Sequence, residues 1–239
     1  QEAILSMHGR RQVIVAHRRF GKTTLALVKI LISASKPNSR LWYLSPTYKQ
    51  SKTIAWDALL ALLGPTGTIY KKNESELSVR LVNNSVIELK GADSTNKDSL
   101  RGVGLDGIVF DEYALMDESI GTEIIRPALS DRQGWAMYIG TPKGKNHFYS
   151  LYNSIPEDNR WLYTIEDTKL LLQSEIELAR AEMSPDEFAQ EYMCGWLYFA
   201  GAVYKEFCAE RLVIDAFAVK KDWNFYLAID HGQTNPTAV

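Results

Sequence analysis

The sequence predicts an α/β fold in which helices flank a mostly parallel sheet. Two observations carry this prediction. Short apolar runs with the length of buried strands alternate along the chain with longer stretches that have the length of helices. Several of these runs also end in a small polar cluster, as strands do at the carboxyl edge of a parallel sheet. Alternating strands and helices favour parallel pairing with helices on both faces.

The first half of the chain supplies four of the predicted strands and two of the helices. The strand-like segments are residues 13–16, 41–44, 77–81 and 86–89. The stretch 23–34 is apolar on most sides, which indicates a buried helix, and a second helix ends at Leu63 before a Gly-Pro turn. The last two strands alternate around Asn83-Asn84, which predicts a hairpin.

The second half continues the pattern and then changes character. A polar segment at 91–104 precedes two further strands, at 107–110 and 135–139. From about residue 160 the sequence instead predicts two short helices, at 174–183 and 185–194. A last apolar strand at 225–229 ends at Asp230, and only nine residues follow. We expect this strand to open a second domain that is truncated here.

Composition limits the classes of protein to which the chain can belong. It has 239 residues, 46% hydrophobic and 23% charged, with a formal net charge of −2. These values exclude a disordered tail, a fibre and a disulfide scaffold. The near-neutral charge argues against a surface coated with nucleic acid but not against a local basic surface or channel. Two cysteines favour a reducing compartment, and no apolar run approaches the ~18 residues of a membrane span.

The strongest motif is a phosphate-binding loop between the first strand and the first helix. It fits the pattern G-x-x-x-x-G-K-[ST], with alanine at the first position. We assign nucleotide contacts to Ala16, His17, Arg18, Arg19, Phe20, Gly21, Lys22, Thr23 and Thr24. Backbone N–H groups of such a loop face phosphate oxygens, the lysine reaches the β- and γ-phosphates, and the first threonine binds Mg²⁺. Either loop arginine can reach the transferring phosphoryl group.

Two further strand ends complete the predicted site. Asp111 and Glu112 follow an apolar strand, where the first acid suits Mg²⁺ and the second suits a general base that activates water. Thr141 follows the next strand and is placed to respond to loss of the γ-phosphate. Arg101 lies in a glycine-flanked loop and is a candidate arginine finger. The pair Lys143 and Lys145 is predicted to be solvated.

Together these motifs resemble the large terminase subunit of tailed bacteriophages, which packages DNA into a procapsid. The resemblance rests on AHRRFGKTT, SPTYKQSK, KGADSTNKDSLRG, GIVFDEYALMD and YIGTPKGKNHFY, in that order over residues 1–155. The later segments ARAEMSPDEFAQEYMCGWL and YLAIDHGQTNPTAV are similar to the family's lid and to the first strand of its RNase H-like nuclease.

The resemblance implies a P-loop NTPase fold of the ASCE type with a small helical lid. It implies an ATPase core at 1–155, a lid at 156–200, a linker at 201–223 and the start of a nuclease at 224–239. Glu112 would be catalytic, Arg18 would be the family's loop arginine, Thr141 its coupling residue and Arg101 a finger acting in trans. The resemblance also implies that Gln1 contacts adenine and that Asp230 is a nuclease metal ligand, in a site too incomplete to cut DNA.

The cofactors implied are ATP and Mg²⁺. The implied partners are double-stranded DNA, further copies of the chain in a ring (a pentamer in this family), the portal protein and the small terminase subunit, with no membrane. The implied location is the host cytoplasm, docked on the procapsid portal and absent from the mature virion. Two alternatives stay open: a helicase-like translocase, and a P-loop scaffold that binds nucleotide without hydrolysis.

Overall fold

The computed structural model describes residues 4–5, 9–93, 100–197 and Trp223. The chain divides into two units, residues 1–200 and 201–239, and the described helices and strands all lie in the first. Four predictions fall outside the described residues: Gln1 as an adenine contact, Asp230 as a metal ligand, most of the 201–223 linker, and the strand at 225–229.

Eight strands form one mixed sheet in the order β3-β4-β5-β2-β6-β7-β1-β8. The strands are β1 (Arg11–Ala16), β2 (Arg40–Ser45), β3 (Ile69–Asn73), β4 (Ser78–Leu81), β5 (Val86–Gly91), β6 (Gly107–Asp111), β7 (Trp135–Gly140) and β8 (Arg160–Tyr163). The six strands from β5 to β8 in this order pair in parallel, and β3 and β4 add an antiparallel edge. The predicted mostly parallel sheet is therefore confirmed.

Strand β7 separates the phosphate loop from the acidic pair. It pairs with β1 on one side and with β6 on the other. Gly140, its last residue, is in register with Val15, while its neighbour Ile139 is in register with Asp111. The carboxyl ends of all three strands thus lie at the same level, and the segments that follow them meet at one edge of the sheet.

The helices are α1 (Lys22–Ala34), α2 (Tyr48–Gln50), α3 (Asp57–Leu63), α4 (Arg126–Ser130), α5 (His147–Ser154), α6 (Ile165–Thr168), α7 (Gln173–Glu182) and α8 (Pro185–Glu191). A π-helical turn at Ser51–Trp56 joins α2 to α3, and another at Ile120–Ile125 precedes α4. None of the described helices is long and apolar enough to cross a membrane.

Helices cover both faces of the sheet, because successive strand residues point to opposite sides. Ile14 belongs to a core cluster with Leu27 and Leu59 of α1 and α3. Its neighbours Val13 and Val15 belong to the second cluster, on the opposite face. That second cluster also contains the stacked rings of Phe110 and Tyr138, whose centroids are 4.7 Å apart, and Phe148 of α5.

Several elements were not predicted from the sequence, among them α4 and α6. For three others, β3, β8 and α5, the reason is physical. Strand β3 is an edge strand whose Tyr70, Lys71 and Lys72 are exposed, so it has no apolar alternation. Strand β8 has only half-buried residues and extends the sheet beyond β1. Helix α5 starts where the Asn146 side chain accepts a 3.0 Å hydrogen bond from the Phe148 amide, an N-cap that lies inside the motif YIGTPKGKNHFY.

Candidate functional site at the carboxyl edge of the sheet

The phosphate loop turns sharply between β1 and α1. Arg19 and Gly21 both have left-handed backbones, with φ of 66° and 89°. A left-handed backbone is unfavourable for residues that carry a Cβ but not for glycine, which explains the glycine directly before α1. Phe20 anchors the loop to the sheet, since its side chain is buried and stacks on Tyr163 of β8 with 5.1 Å between ring centroids.

Lys22 is held inside the loop by the loop's own carbonyl groups. Its Nζ donates to the carbonyl oxygens of Ala16 and His17 at 2.8 and 3.1 Å, and only 9% of the residue is exposed. Burial lowers the pKa of the Lys22 ammonium, while the charges of Glu112 and Asp111 act in the opposite direction. The ammonium therefore lies between the loop backbone and the acidic strand end.

A buried tyrosine joins the predicted metal ligands. The Tyr43 hydroxyl of β2 donates a 2.5 Å hydrogen bond to Asp111 Oδ2 and is also hydrogen-bonded to the Thr23 side chain. Burial raises the pKa of the Asp111 carboxyl to about 6, with the hydrogen bond from Tyr43 opposing and the charge of Glu112 adding to the shift. Sequence reasoning missed Tyr43, because an aromatic residue in an apolar strand gives no signal beyond burial.

Glu112 occupies a left-handed backbone conformation, with φ 52° and ψ 47°. Its Oε2 accepts long hydrogen bonds, both 3.4 Å, from the Thr141 amide and from the Thr141 hydroxyl. The two strand ends lie close together here, since a Cβ at Gly140 would be in ordinary van der Waals contact with the Glu112 Cα, at 3.4 Å. The predicted base and the predicted coupling residue are therefore in direct contact across the ends of β6 and β7.

The turn after Glu112 is fastened to the start of α5. Asn146 Nδ2 donates to the Ala114 carbonyl oxygen, and His147 Nε2 donates to the Tyr113 carbonyl oxygen, both at 3.0 Å. These bonds link the acidic strand end to the loop that carries Thr141, because α5 follows that loop directly.

Arg18 points toward α8, the last described helix. Its Nε is 2.6 Å from Glu191 Oε2, and its amide donates to the Glu191 carbonyl oxygen at 3.1 Å. The same carboxylate pairs through Oε1 with Lys143. The prediction that Lys143 is a solvated surface lysine is wrong, because the partner carboxylate is brought from a helix 48 residues along the chain.

His17 forms a second link from the loop, to α6. Its side chain is fully buried, with Nδ1 donating to the Arg18 carbonyl oxygen and Nε2 2.7 Å from the Thr168 hydroxyl. Burial lowers the pKa of His17, and the bond to the carbonyl raises it in part. A neutral ring that donates at Nδ1 leaves Nε2 to accept from Thr168.

The remaining predicted residues lie at the rim. Arg19 and Thr24 are exposed at the loop and at the first turn of α1. Arg101 is exposed in the bend before β6, next to Gly102, whose φ is 77°. Their roles stay predictions.

The geometry suits a phosphate ester and a hard divalent cation. The Thr23 hydroxyl and the Asp111 carboxylate meet at one tyrosine hydroxyl, and oxygen ligands of this kind are those that Mg²⁺ prefers. The described residues contain no group of three or more His, Cys, Asp or Glu side chains that would hold a metal on their own. A cation here would need oxygens from a substrate or from water, as Mg²⁺ does beside phosphates.

Residues 13–211 match the family model described as terminase large subunit, T4likevirus-type, N-terminal. The chain is 29% identical over 238 residues to the terminase large subunit of Escherichia phage T5, covering 93% of this chain and 53% of that protein. It is 31% identical over 170 residues to the large subunit of Thermus phage G20c, covering 64% of this chain and 35% of that protein. The matches thus span about half or less of these relatives' length.

Solved structures agree with the fold. The large terminase ATPase domain of Thermus phage P74-26 superposes with a TM-score of 0.70 at 26% identity, covering 82% of this chain and 92% of that domain. A large terminase from a thermophilic bacteriophage superposes with a TM-score of 0.71 at 19% identity, covering 99% of this chain and 62% of that one. The latter similarity is evidence for the fold alone.

Proposed function

Because the chain belongs to the family of T4likevirus-type terminase large subunit N-terminal domains, we propose that it is the ATP-hydrolysing domain of a motor that packages double-stranded DNA. The observation that carries the proposal is the meeting of five side chains at one sheet edge. Lys22 and Thr23 follow β1, Asp111 and Glu112 stand at the end of β6, and Thr141 lies between them at the end of β7.

ATP binding is assigned to the phosphate loop. The loop N–H groups and the amino end of α1 supply positive partial charge to the phosphates. Lys22 leaves the carbonyl oxygens of Ala16 and His17 and turns toward the phosphate oxygens. Its burial beside two carboxylates means that the ammonium exchanges protein acceptors for phosphate acceptors without first being stripped of water.

Mg²⁺ is assigned to the Thr23 hydroxyl and to Asp111, the latter directly or through water. When bound, it would neutralise charge on the β- and γ-phosphates. Without the metal, Tyr43 keeps the Thr23 and Asp111 side chains together, since the Tyr43 hydroxyl contacts both.

Glu112 is assigned as the base that orients and activates the attacking water. Its half-buried carboxylate lies just after the carboxyl end of β6 and accepts two long hydrogen bonds from Thr141. Such long hydrogen bonds restrain the carboxylate only weakly, so it can reorient when ATP binds. Through the same contact, Thr141 can transmit a movement of Glu112 on hydrolysis to the loop before α5.

Arginine supplies the remaining charge stabilisation. Arg18 lies in the loop itself, and Arg101 is assigned as a finger that reaches the site of a neighbouring copy. On the family resemblance alone we also propose a wider assembly: a ring of copies, a pentamer in this family, docked with the small subunit on the portal of a procapsid in the host cytoplasm. We also keep as proposals the lid at 156–200, the linker at 201–223, the nuclease segment from 224 with Asp230 as a metal ligand, and the adenine contact of Gln1.

Two substitutions test the proposal. Lys22→Ala should abolish ATP binding measured by calorimetry, because no other described cation is enclosed by the loop. Glu112→Gln should keep binding and lower phosphate release by about 10²-fold or more, the scale of general-base catalysis.

Lys36→Ala is a matched control for charge, since Lys36 pairs with Asp106 at the start of β6, on the opposite edge of the sheet. If Lys22→Ala binds ATP with unchanged affinity, the assignment of ATP binding to the phosphate loop is wrong. If Glu112→Gln hydrolyses ATP at the wild-type rate, Glu112 is not the general base and another residue must serve as one.

A further inference from the structure

We propose that Ser45 is a positioning residue of the metal site: when Asp111 binds Mg²⁺ and gives up its hydrogen bond from Tyr43, the Ser45 hydroxyl replaces Tyr43 as the donor to that carboxylate. The inference rests on the proposed function and names a further residue of the same site. Ser45 is the last residue of β2 and opens the segment SPTYKQSK, in which the proposed function assigns no residue.

The Ser45 hydroxyl is buried without a hydrogen-bond partner. Only 1% of the residue is exposed, and its Oγ has no partner among the described residues. A buried hydroxyl that makes no hydrogen bond costs free energy, so native proteins rarely keep one without a reason. Ser85 is equally buried but differs, because its hydroxyl accepts from the Ser39 amide at 3.2 Å and donates to the Lys36 carbonyl oxygen at 2.8 Å. Ser45 therefore has an unused hydrogen bond at the edge of the sheet that carries the site.

Asp111 is the charged side chain that adjoins Ser45. Strands β2 and β6 pair in parallel register up to the residues directly before Ser45 and Asp111, so these two lie side by side at the strand ends. Their side chains share one face of the sheet, since Tyr43 and Val109, two residues earlier on each strand, both belong to the core cluster that α1 covers. On its other side Asp111 is in register with Ile139, which is apolar. Of the two strand residues beside Asp111, Ser45 is therefore the one that can donate a hydrogen bond.

Mg²⁺ requires the two side chains that Tyr43 joins. The Tyr43 hydroxyl donates to Asp111 Oδ2 at 2.5 Å and is also hydrogen-bonded to the Thr23 side chain. A cation bound by Thr23 and Asp111 takes lone pairs from both, and so displaces the hydroxyl that lies between them. A carboxylate in a metal site still needs a hydrogen-bond donor behind it, because that donor fixes its orientation. Ser45 lies beside the carboxylate with its own donor unused, and it supplies this bond once Tyr43 has moved.

The dependence of nucleotide affinity on Mg²⁺ tests this role. Calorimetry with ATPγS, once in excess Mg²⁺ and once in EDTA, gives the factor by which the metal tightens binding. Ser45→Ala should reduce this factor by about tenfold or more, the lower end of the effect that outer-shell substitutions have on metal affinity. Affinity in EDTA should stay unchanged, because the hydroxyl has no partner in the metal-free site. A factor equal to that of the wild type would overturn the proposal.

The melting temperature in EDTA separates this role from a structural one. Ser85→Ala is the matched control: it also removes a buried serine hydroxyl, directly before β5 at the opposite edge of the sheet. It should lower the melting temperature, because two backbone groups lose their partner, and should leave the Mg²⁺ factor unchanged within about twofold. Ser45→Ala removes an unsatisfied group, so its melting temperature should be equal to that of the wild type or higher. A lower value would mean that the hydroxyl has a structural partner, and would overturn the proposal.

A Tyr43→Phe background tests the exchange of donors without any metal. Removal of the tyrosine hydroxyl takes away the donor to Asp111 Oδ2, and the Ser45 hydroxyl should replace it. At pH 8, where the Asp111 carboxyl is ionised, Ser45→Ala should then lower the melting temperature, whereas in the wild-type chain it should not. If Ser45→Ala has the same effect in both backgrounds, its hydroxyl does not reach Asp111 and the proposal is wrong.

The proposed function and the role of Ser45 fail in different ways. If the wild-type chain does not bind ATPγS, or binds it equally well in Mg²⁺ and in EDTA, the assignment of ATP or of Mg²⁺ to the site fails. If Mg²⁺ tightens binding by the same factor in the wild type and in Ser45→Ala, the proposed function stands and only the role of Ser45 is wrong.

Discussion

Tyr43 shows how much of the site depends on a residue without a motif. Its ring is fully buried among apolar side chains, and only its hydroxyl reaches the carboxyl edge of the sheet. There it satisfies Asp111 and Thr23 together, so that neither is left without a partner in a water-poor environment. The pair of metal ligands is therefore prearranged by a third side chain on a neighbouring strand.

Asp111 should make the stability of the chain depend on pH. Burial raises the pKa of its carboxyl to about 6, above the ordinary 3.8 that it regains on unfolding. Below about pH 4 both states are protonated and nothing is lost. Between about pH 4 and 6 the unfolded chain ionises while the folded chain keeps its proton, so stability falls relative to Asp111→Asn, and above about pH 6 the difference is constant. With ~1.4 kcal/mol per pKa unit, the difference reaches a few kcal/mol at most.

Urea unfolding of both proteins from pH 4 to 8, without nucleotide or Mg²⁺, measures this difference. Asp106→Asn is the control of opposite sign. Although burial acts to raise the pKa of Asp106, hydrogen bonds from the Arg40 amide and Arg132 lower it, so this substitution should cost stability above about pH 4. A difference between wild type and Asp111→Asn that stays constant with pH would contradict the assignment.

At the scale of elements, β7 is the strand on which the site depends. It separates the two halves of the site and carries Thr141 at its end. Gly134, just before its start, is held on both sides: its amide donates to the Leu129 carbonyl oxygen at 2.8 Å, and its carbonyl oxygen accepts from the Arg10 side chain, Nε, at 3.2 Å.

Gly134→Ala should displace this strand. A Cβ at Gly134 would lie 2.3 Å from the Leu105 carbonyl oxygen, and that oxygen belongs to backbone that cannot turn aside like a flexible side chain. We expect a loss of about 1–3 kcal/mol in the free energy of unfolding, the usual cost of overpacking.

Gly64→Ala is the matched control for this substitution. Gly64 has a right-handed helical backbone, and nothing lies within 4 Å of an added Cβ. Its unfolding free energy should stay within about 1 kcal/mol of the wild type, because alanine restricts the unfolded chain whereas its Cβ is crowded by Pro65 in a helical backbone. Equal effects at the two glycines, measured by denaturant unfolding, would refute the packing argument.

At the scale of the whole molecule, the prediction concerns sites shared between copies. Arg101 is exposed in the bend before β6. If it acts in trans, Arg101→Ala and Glu112→Ala should each be inactive alone and should regain ATPase activity when mixed, because some interfaces then join an intact finger to an intact base.

The ATPase rate against protein concentration checks the same point. The rate per chain should climb with concentration if neighbouring copies complete the site. A flat rate, or no recovery in a mixed assembly shown to contain both chains, would place a complete site within each copy.

Local patterns in the sequence determined six of the eight strands, the buried helix α1, the phosphate loop and the acidic strand end, because each depends on residues within a few positions of one another. The family could also be recognised from these motifs in order, and the comparisons confirm it.

Only the tertiary structure decided which distant residues meet. Strands β3 and β8 are held by pairing with partners elsewhere in the sheet, and their exposed or half-buried residues give no periodic signal. Tyr43 and Glu191 look like an ordinary core aromatic and an ordinary helix acid. They acquire chemistry only because β2 adjoins β6 and because α8 ends against the phosphate loop. The environment of a side chain is set by its neighbours in space, which local sequence does not specify.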